Sequence, residues 1–443
     1  MTVAEKLLGR EFHFTDSLYE SAKKVFLDTI GAMLMGIGEQ EQQQLIENYS
    51  SINQGNYALL KSKYSFDLLS AAFLSGVTSV AVELDEGNQW SKGHPAVHVM
   101  PVLLLYAQQN PSYSGEQFLK DLIRAYEATT YFGRITSLKK ELHAHGTWGV
   151  LGAATAYAIA QNTSVEELDS VLEIASTFAS PTKWEAALEG SGIRNVYVGE
   201  SLEGGIKAWY LMKSKFYAPK GNMKYVFSNI LGYSFDDQLE ENDDFYAIER
   251  NYYKQHAFCR YAHVPLETFQ QLVIRHNINP DQIEKVCVRT YERAATLENK
   301  ITENSLSSKF SIPFALASWY FLKQSDHQIF REKKYLDTTI RSLAEKIEVI
   351  HDPKLDENYP DIMPAIVTIL LKDGTKYEHR LNNALGGPEE NFDYEDIENK
   401  FIQNTTTILS KDVQQEISKF VRNLEKEKSV KEIFDIVNRQ DIT

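Results

Sequence analysis

Apolar residues recur at helical spacing through most of the first half of the chain. Leu18, Ala22, Val25, Ile30 and Met33 keep to one face, Thr15-Asp16-Ser17 ahead of them offers capping oxygens, and Gly36 and Gly38 mark a stop. This pattern predicts a core helix. Similar stretches at 67–76, 101–109, 115–131, 149–161 and 165–178 are joined by Gly, Ser, Asn or Pro, so the first half reads as almost wholly helical.

The texture changes beyond about residue 250. Glu284, Val286, Val288 and Thr290 alternate with Lys285, Cys287 and Arg289, as on a half-buried strand, and 346–350 offers another. Residues 365–371 and 376–381 flank Lys372-Asp373-Gly374-Thr375, where Asp-Gly is a favoured hairpin dipeptide. Helical spacing then returns with Val413, Ile417, Phe420 and Leu424, and Ser429 with Glu432 suggests a capping box before Ile433, Ile436 and Val437. The expected fold class is α+β: a helical domain formed by 1–251 and 388–443, with a smaller α+β domain at 252–387 inserted between them.

Length and charge narrow the function. The 443 residues exceed one ordinary domain of ~100–200 residues. The formal net charge of −15 argues against nucleic acid or an anionic membrane as partner, since both select a cationic surface. No window approaches the ~20 apolar residues of a membrane span, and charged residues occupy the positions of a signal-peptide core. Cys259 and Cys287 make neither a disulfide framework nor a zinc pattern. These observations lead to the expectation of a cytoplasmic, soluble protein, and with no His pair and carboxylate in a recognised zinc spacing no metal is expected.

Four polar clusters carry the candidate chemistry. Residues 83–98 hold Glu83, Asp85, Glu86, Lys92, His94 and His98 among Gly87, Gly93 and Pro95, which break helical periodicity. A polar surface loop is the bland alternative; a loop rich in proton-transfer groups points towards a site. His143, His145 and Thr147 stand directly before an apolar helix, where an anion would meet the helix dipole, or where Thr147 simply caps. Arg194 and Tyr197 follow a Gly-Ser-Gly turn, and an arginine there can hold a carboxylate by paired hydrogen bonds. Lys254, His256, Cys259 and His263 lie where the two textures meet.

In this order and spacing the clusters resemble the MmgE/PrpD family, which includes 2-methylcitrate dehydratase, cis-aconitate decarboxylase and iminodisuccinate epimerase. Leu27-Asp28-Thr29-Ile30-Gly31 is similar to its D-T-x-G helix, Ala71 to Gly76 to A-A-x-x-N-G, and Asp85 to Pro101 to D-D-x-H…H-P-G-x-x-V-x-P. His143 to Thr147 is similar to H-P-T-G-T, Arg194 to Gly199 to K-x-L-H-x-G, and Lys254 to His263 to K-x-Y-P-x-C-x-x-x-H. The likeness continues through Lys309 to Ala315, Met363-Pro364 and Asp373-Gly374.

The resemblance implies a homodimer whose inserted domain acts as a lid, and a cofactor-independent lyase for a small di- or tricarboxylate. A hydro-lyase of the 2-methylcitrate type is the first expectation; a carboxy-lyase of the cis-aconitate type, an epimerase of an imino or amino dicarboxylate and an inactive binding homologue are the alternatives. His94, His143, Lys254 and Asp85 are the implied catalytic residues, His94 as base or proton shuttle. Arg194, Glu83, Lys92 and Tyr197 are assigned to substrate binding. The chain departs from the family pattern at Gly87-Asn88, at His145 and at Arg194, where lysine is usual; an arginine binds a carboxylate but does not exchange protons near neutrality.

Overall fold

The computed structural model describes residues 2–239 and 245–439, which divide into two compact units. The first comprises Met1–Lys183, Ile193–Tyr253 and Phe392–Thr443; the second comprises Trp184–Gly192 and Lys254–Asn391.

The helices of the first unit include α1 Asp16–Ile37, α2 Leu68–Ser79, α3 Ala96–Gln109, α4 Gly115–Ile135, α5 Gly149–Ala160, α6 Val165–Ala175 and α7 Ile193–Lys213. Thr15 caps α1, its hydroxyl accepting from the Leu18 amide, and Asp67 caps α2 in the same way through Leu69 and Ser70. Helix α3 begins at Ala96 and not at Pro101, which lies inside it and leaves one carbonyl of the ladder without its usual donor. Leu18, Phe26, Ile30, Leu74, Leu103, Tyr126, Val198 and Leu202 share one buried core with Ile397, Ile417 and Ile433 of the C-terminal helices Tyr394–Thr405, Lys411–Arg422 and Glu432–Asn438. The helix Glu432–Asn438 starts without a side-chain cap, so the box suggested by Ser429 is not formed.

Helix α7 is the element the pattern of residues conceals. Gly199 and Gly205 lie inside it where neighbouring backbones come closest: a Cβ on Gly205 would lie 2.6 Å from the Ala154 amide nitrogen, and one on Gly199 2.6 Å from the Phe73 carbonyl oxygen. The glycines let α7 pack directly on α2 and α5, and this contact places the first turn of α7 beside the candidate site.

The second unit carries a four-stranded sheet: β1 Ile283–Thr290, β2 Ile347–His351, β3 Ala365–Leu371 and β4 Lys376–Leu381, in the order β2-β1-β3-β4. β1 runs parallel to β2 and antiparallel to β3, with Val288 opposite both Val349 and Val367. β3 and β4 form the hairpin that Asp373-Gly374 predicts, Gly374 adopting a φ of 88°. Val286, Val288, Val367 and Ile369 are buried, and helix α8, His263–His276, packs on β3 and β4.

Candidate active site

Residues 80–95 connect α2 to α3 as a buried, tightly folded loop. Gly87 exchanges two backbone hydrogen bonds with Tyr252, at 3.0 and 2.7 Å, and Asn88 exchanges two with Gly93, at 2.9 and 3.3 Å. The Asn88 side chain accepts from the Trp90 and Ser91 amides, each at 3.1 Å, and donates to the Ala247 carbonyl at 3.2 Å. A Cβ on Gly87 would come within 2.3 Å of the Tyr252 hydroxyl. The missing Cβ of Gly87 and the side-chain amide of Asn88 allow this closed turn. From the C-terminal helix Tyr394–Thr405, the Lys400 ammonium donates to the Leu84 carbonyl at 2.8 Å, which ties the loop to the helical core.

This scaffold sets the tautomer of His94. Its Nδ1 lies 2.7 Å from the Glu86 carbonyl oxygen and 2.8 Å from Asp85 Oδ2. A carbonyl only accepts, so Nδ1 carries the proton and Nε2 of the neutral ring keeps its lone pair. Asp85 is fully buried, while the His94 side chain retains 13% exposure, the most of the four imidazoles gathered here.

The other three are locked in sequence. The His145 amide donates to His143 Nδ1 at 3.0 Å, so the neutral His143 ring presents an N–H at Nε2. Arg194 Nη2 lies 3.4 Å from His145 Nε2, and His145 Nδ1 lies 3.4 Å from His98 Nε2; because a guanidinium only donates, both neutral rings carry their proton on Nδ1. Ring centroids are 4.6 Å apart for His143 and His145, 5.1 Å for His94 and His145, and 5.5 Å for His98 and His145. Burial pushes His98 down to about 3, and burial with the neighbouring imidazoles and Arg194 holds His145 well below the usual histidine range. These two rings stay neutral at physiological pH.

Arg194 lies in the first turn of α7 and is almost fully buried. Its guanidinium pairs with the equally buried Glu83, donates to the Val80 carbonyl at 3.0 Å and reaches Asn195 Oδ1 at 3.3 Å. Glu83 itself adopts a left-handed φ of 56°, a conformation rare for a side-chain-bearing residue and one that turns the loop at this pair. Tyr197, one turn of α7 further on and half-buried, meets the His143 ring edge-on at 6.2 Å.

Thr147 does not cap α5: its hydroxyl donates back to the Ala144 carbonyl at 2.6 Å, and α5 begins without a side-chain cap. Thr182 holds the histidine loop instead, donating to the His145 carbonyl at 2.6 Å, while its own carbonyl accepts from the His143 amide at 2.8 Å.

The structure thus brings together Asp85, His94, His143, Glu83, Arg194 and Tyr197 of the residues picked from the sequence. Lys92 is exposed at the turn of the loop, and Lys254 is buried in the second unit. Three further residues matter that received no role from the sequence. His98 follows His94 by four residues and His145 follows His143 by two, a spacing that hints at their proximity. Glu86 is fully buried; it accepts from the Ala96 amide and the Tyr126 hydroxyl, both at 2.8 Å, and burial raises its carboxyl to about 8. It anchors the start of α3 while its backbone orients His94.

One oxygen of Asp85 and one nitrogen each from His94 and His145 lie within 4.8 Å of one another, close enough to hold a cation. The Arg194 guanidinium beside His145 opposes positive charge there, and the proton on His94 Nδ1 would have to leave. This donor set suits proton transfer better than metal ligation.

Comparison with known proteins identifies what the chain as a whole is similar to. Cis-aconitate decarboxylase of Homo sapiens is 24% identical over 453 aligned residues, spanning 93% of this chain and 89% of that protein. Cis-aconitate decarboxylase of Mus musculus is 22% identical over 450, spanning 93% and 88%. The profile of the MmgE/PrpD N-terminal domain matches residues 10–224, and that of the MmgE/PrpD C-terminal domain matches residues 256–426. With both domain profiles matched in order along most of its length, the chain belongs to the MmgE/PrpD family.

Proposed function

We propose that the chain is a cofactor-independent lyase for a small di- or tricarboxylate, with His94 as its proton-transfer group. The observation that carries this reading is the fixed tautomer of His94. Asp85 and the Glu86 carbonyl hold Nδ1–H, which leaves Nε2 on the most accessible ring of the cluster to take or give a proton. When Nε2 is protonated, the Asp85 carboxylate balances the imidazolium. His143 carries its proton on Nε2, and we assign that N–H to stabilising developing negative charge, with buried His145 packed against the His143 and His94 rings.

Both curated relatives carry the name cis-aconitate decarboxylase, and this makes decarboxylation the favoured reaction. In that reaction the bond from carbon to one carboxylate breaks, carbon dioxide leaves, and the electron pair stays on carbon, delocalised towards the remaining unsaturation. His94 Nε2–H then supplies the proton to carbon and is reprotonated from solvent. Dehydration and epimerisation pass through a related carbanion beside a carboxylate and would use the same imidazole as a base. The neutral pair of Glu83 and Arg194 sits next to His145, and we assign it to shaping the substrate end of the cluster together with Tyr197. Lys254 is assigned a part in turnover on its motif alone, a homodimer is proposed as the working state, and Lys254→Met kinetics and light scattering test these assignments.

The test is incubation of the full-length protein with cis-aconitate, citrate, 2-methylcitrate and iminodisuccinate in deuterated water, followed by NMR. Carbon dioxide release from cis-aconitate with one deuterium on the product carbon supports decarboxylation. Water loss from 2-methylcitrate moves the assignment to dehydration. Absence of both turnover and deuterium exchange with every compound overturns the lyase reading.

A further inference from the structure

The second unit holds another convergence of ligand-type side chains, unconnected with the reasoning about His94. His263 and Glu267 stand four residues apart and so share one face of helix α8, and His256 returns to them from the segment ahead of it. All three are buried, at 4%, 0% and 6% exposure for His256, His263 and Glu267. One donor atom from each lies within 4.8 Å of the others.

Their outward atoms are already held. His256 Nδ1 lies 2.6 Å from the Ser325 hydroxyl, His263 Nε2 lies 3.2 Å from the Phe258 carbonyl, and Glu267 Oε2 accepts from the Leu385 amide at 3.1 Å. The carbonyl fixes the proton of His263 on Nε2 and leaves the lone pair on Nδ1. The inward atoms, His256 Nε2, His263 Nδ1 and Glu267 Oε1, are buried without a hydrogen-bond partner among the described residues, and the first and last of them are 3.5 Å apart. Buried polar atoms left in this state are rare, and three of them on residues whose donor atoms gather within 4.8 Å call for an occupant. Imidazoles fixed through one ring nitrogen, with the other aimed inward beside an anchored carboxylate, are how metal ligands are oriented.

We propose that His256, His263 and Glu267 form a binding site for a divalent transition metal of the zinc class, with water completing its shell. Two nitrogens and one carboxylate oxygen suit zinc and its neighbours over calcium or magnesium, which take oxygen shells. A tetrahedral ion with bonds of ~2.0–2.1 Å sets its ligand atoms ~3.3 Å apart, so the 3.5 Å pair already has the right separation and the third atom needs only a side-chain adjustment. Arg260, in the segment between His256 and His263, directs its guanidinium to the Ala384 and Leu385 carbonyls at 3.0 and 2.9 Å. A bound ion would fasten residues 254–259 to α8.

The experiment uses the full chain, stripped with chelator and then exposed to zinc chloride or cobalt chloride. The expected result is one equivalent of zinc per chain retained through gel filtration, visible cobalt absorption typical of a low-coordinate nitrogen-oxygen site, and a zinc-dependent rise in Tm. Glu267→Gln and His256→Gln, each checked for folding by circular dichroism, lose all three, while His94→Ala keeps them. Absence of retained metal in the wild type overturns the proposal and leaves these groups as a buried ion pair and its neighbour. Binding that survives both Gln changes, or that vanishes only in His94→Ala, overturns it as well, the latter placing the ion at Asp85, His94 and His145.

Discussion

Glu83→Gln is the substitution that probes the cluster's electrostatics most sharply. Glu83 and Arg194 are each about 1% exposed, so their charges are balanced by one another and not by water. Replacing Glu83 with Gln keeps shape and a hydrogen-bond acceptor, and Arg194 keeps the Val80 carbonyl, Asn195 and His145 as partners. It removes only the compensating charge. Breaking a buried pair from one side costs about 3–5 kcal/mol, against roughly 0–1 kcal/mol for an exposed pair. Arg194→Met should cost a similar amount by stranding the Glu83 carboxylate, whereas Glu83→Gln/Arg194→Met leaves no charge stranded and should cost much less than the sum of the two. Equilibrium urea unfolding of the four proteins at pH 7, followed by circular dichroism, supplies the cycle. Single changes that each cost under about 1 kcal/mol and add independently would refute the reasoning.

Two further outcomes follow from the packing around the site. Glu86 is raised from its ordinary 4.5 to about 8 in the folded protein, so its contribution to stability is present below pH 4.5 and is lost as pH rises through 8. Relative to wild type, Glu86→Gln should therefore lose less stability between pH 5 and pH 9, by on the order of 4 kcal/mol; parallel pH–stability curves for the two proteins would contradict this. Gly205→Ala places a Cβ 2.6 Å from the Ala154 amide nitrogen and 2.7 Å from the Ala153 Cβ, and should destabilise by about 1–3 kcal/mol despite alanine's better helix propensity. Gly9→Ala, with nothing within 4 Å, is the control, and calorimetry should show a lowered Tm for the first change alone.

The parts of the fold that were legible in the sequence are those whose signals are local. Thr15 before an apolar helical face gave the start of α1, and alternation around Asp373-Gly374 gave the hairpin of β3 and β4. Helix α7 was hidden because its glycines serve tertiary packing: a single chain does not reveal that Gly199 and Gly205 face Phe73 and Ala153. The residue types of the site were legible, but their pairings were not. The sequence offers Arg194 as a clamp for a carboxylate, and the structure pairs its charge with Glu83, more than a hundred positions upstream. The tautomers of His94 and His143 depend on backbone groups, the Glu86 carbonyl and the His145 amide, that no residue pattern encodes.

The central claim is that proton transfer runs through His94 Nε2, and the most direct measurement is kcat of His94→Ala on the carboxylate that the wild-type protein turns over, with and without added imidazole. Loss of a proton-transfer side chain of this kind lowers the rate by roughly 10²–10⁴-fold. The account predicts a fall in that range, an unchanged fold by circular dichroism and partial recovery with imidazole. A variant that keeps wild-type kcat without imidazole would contradict it.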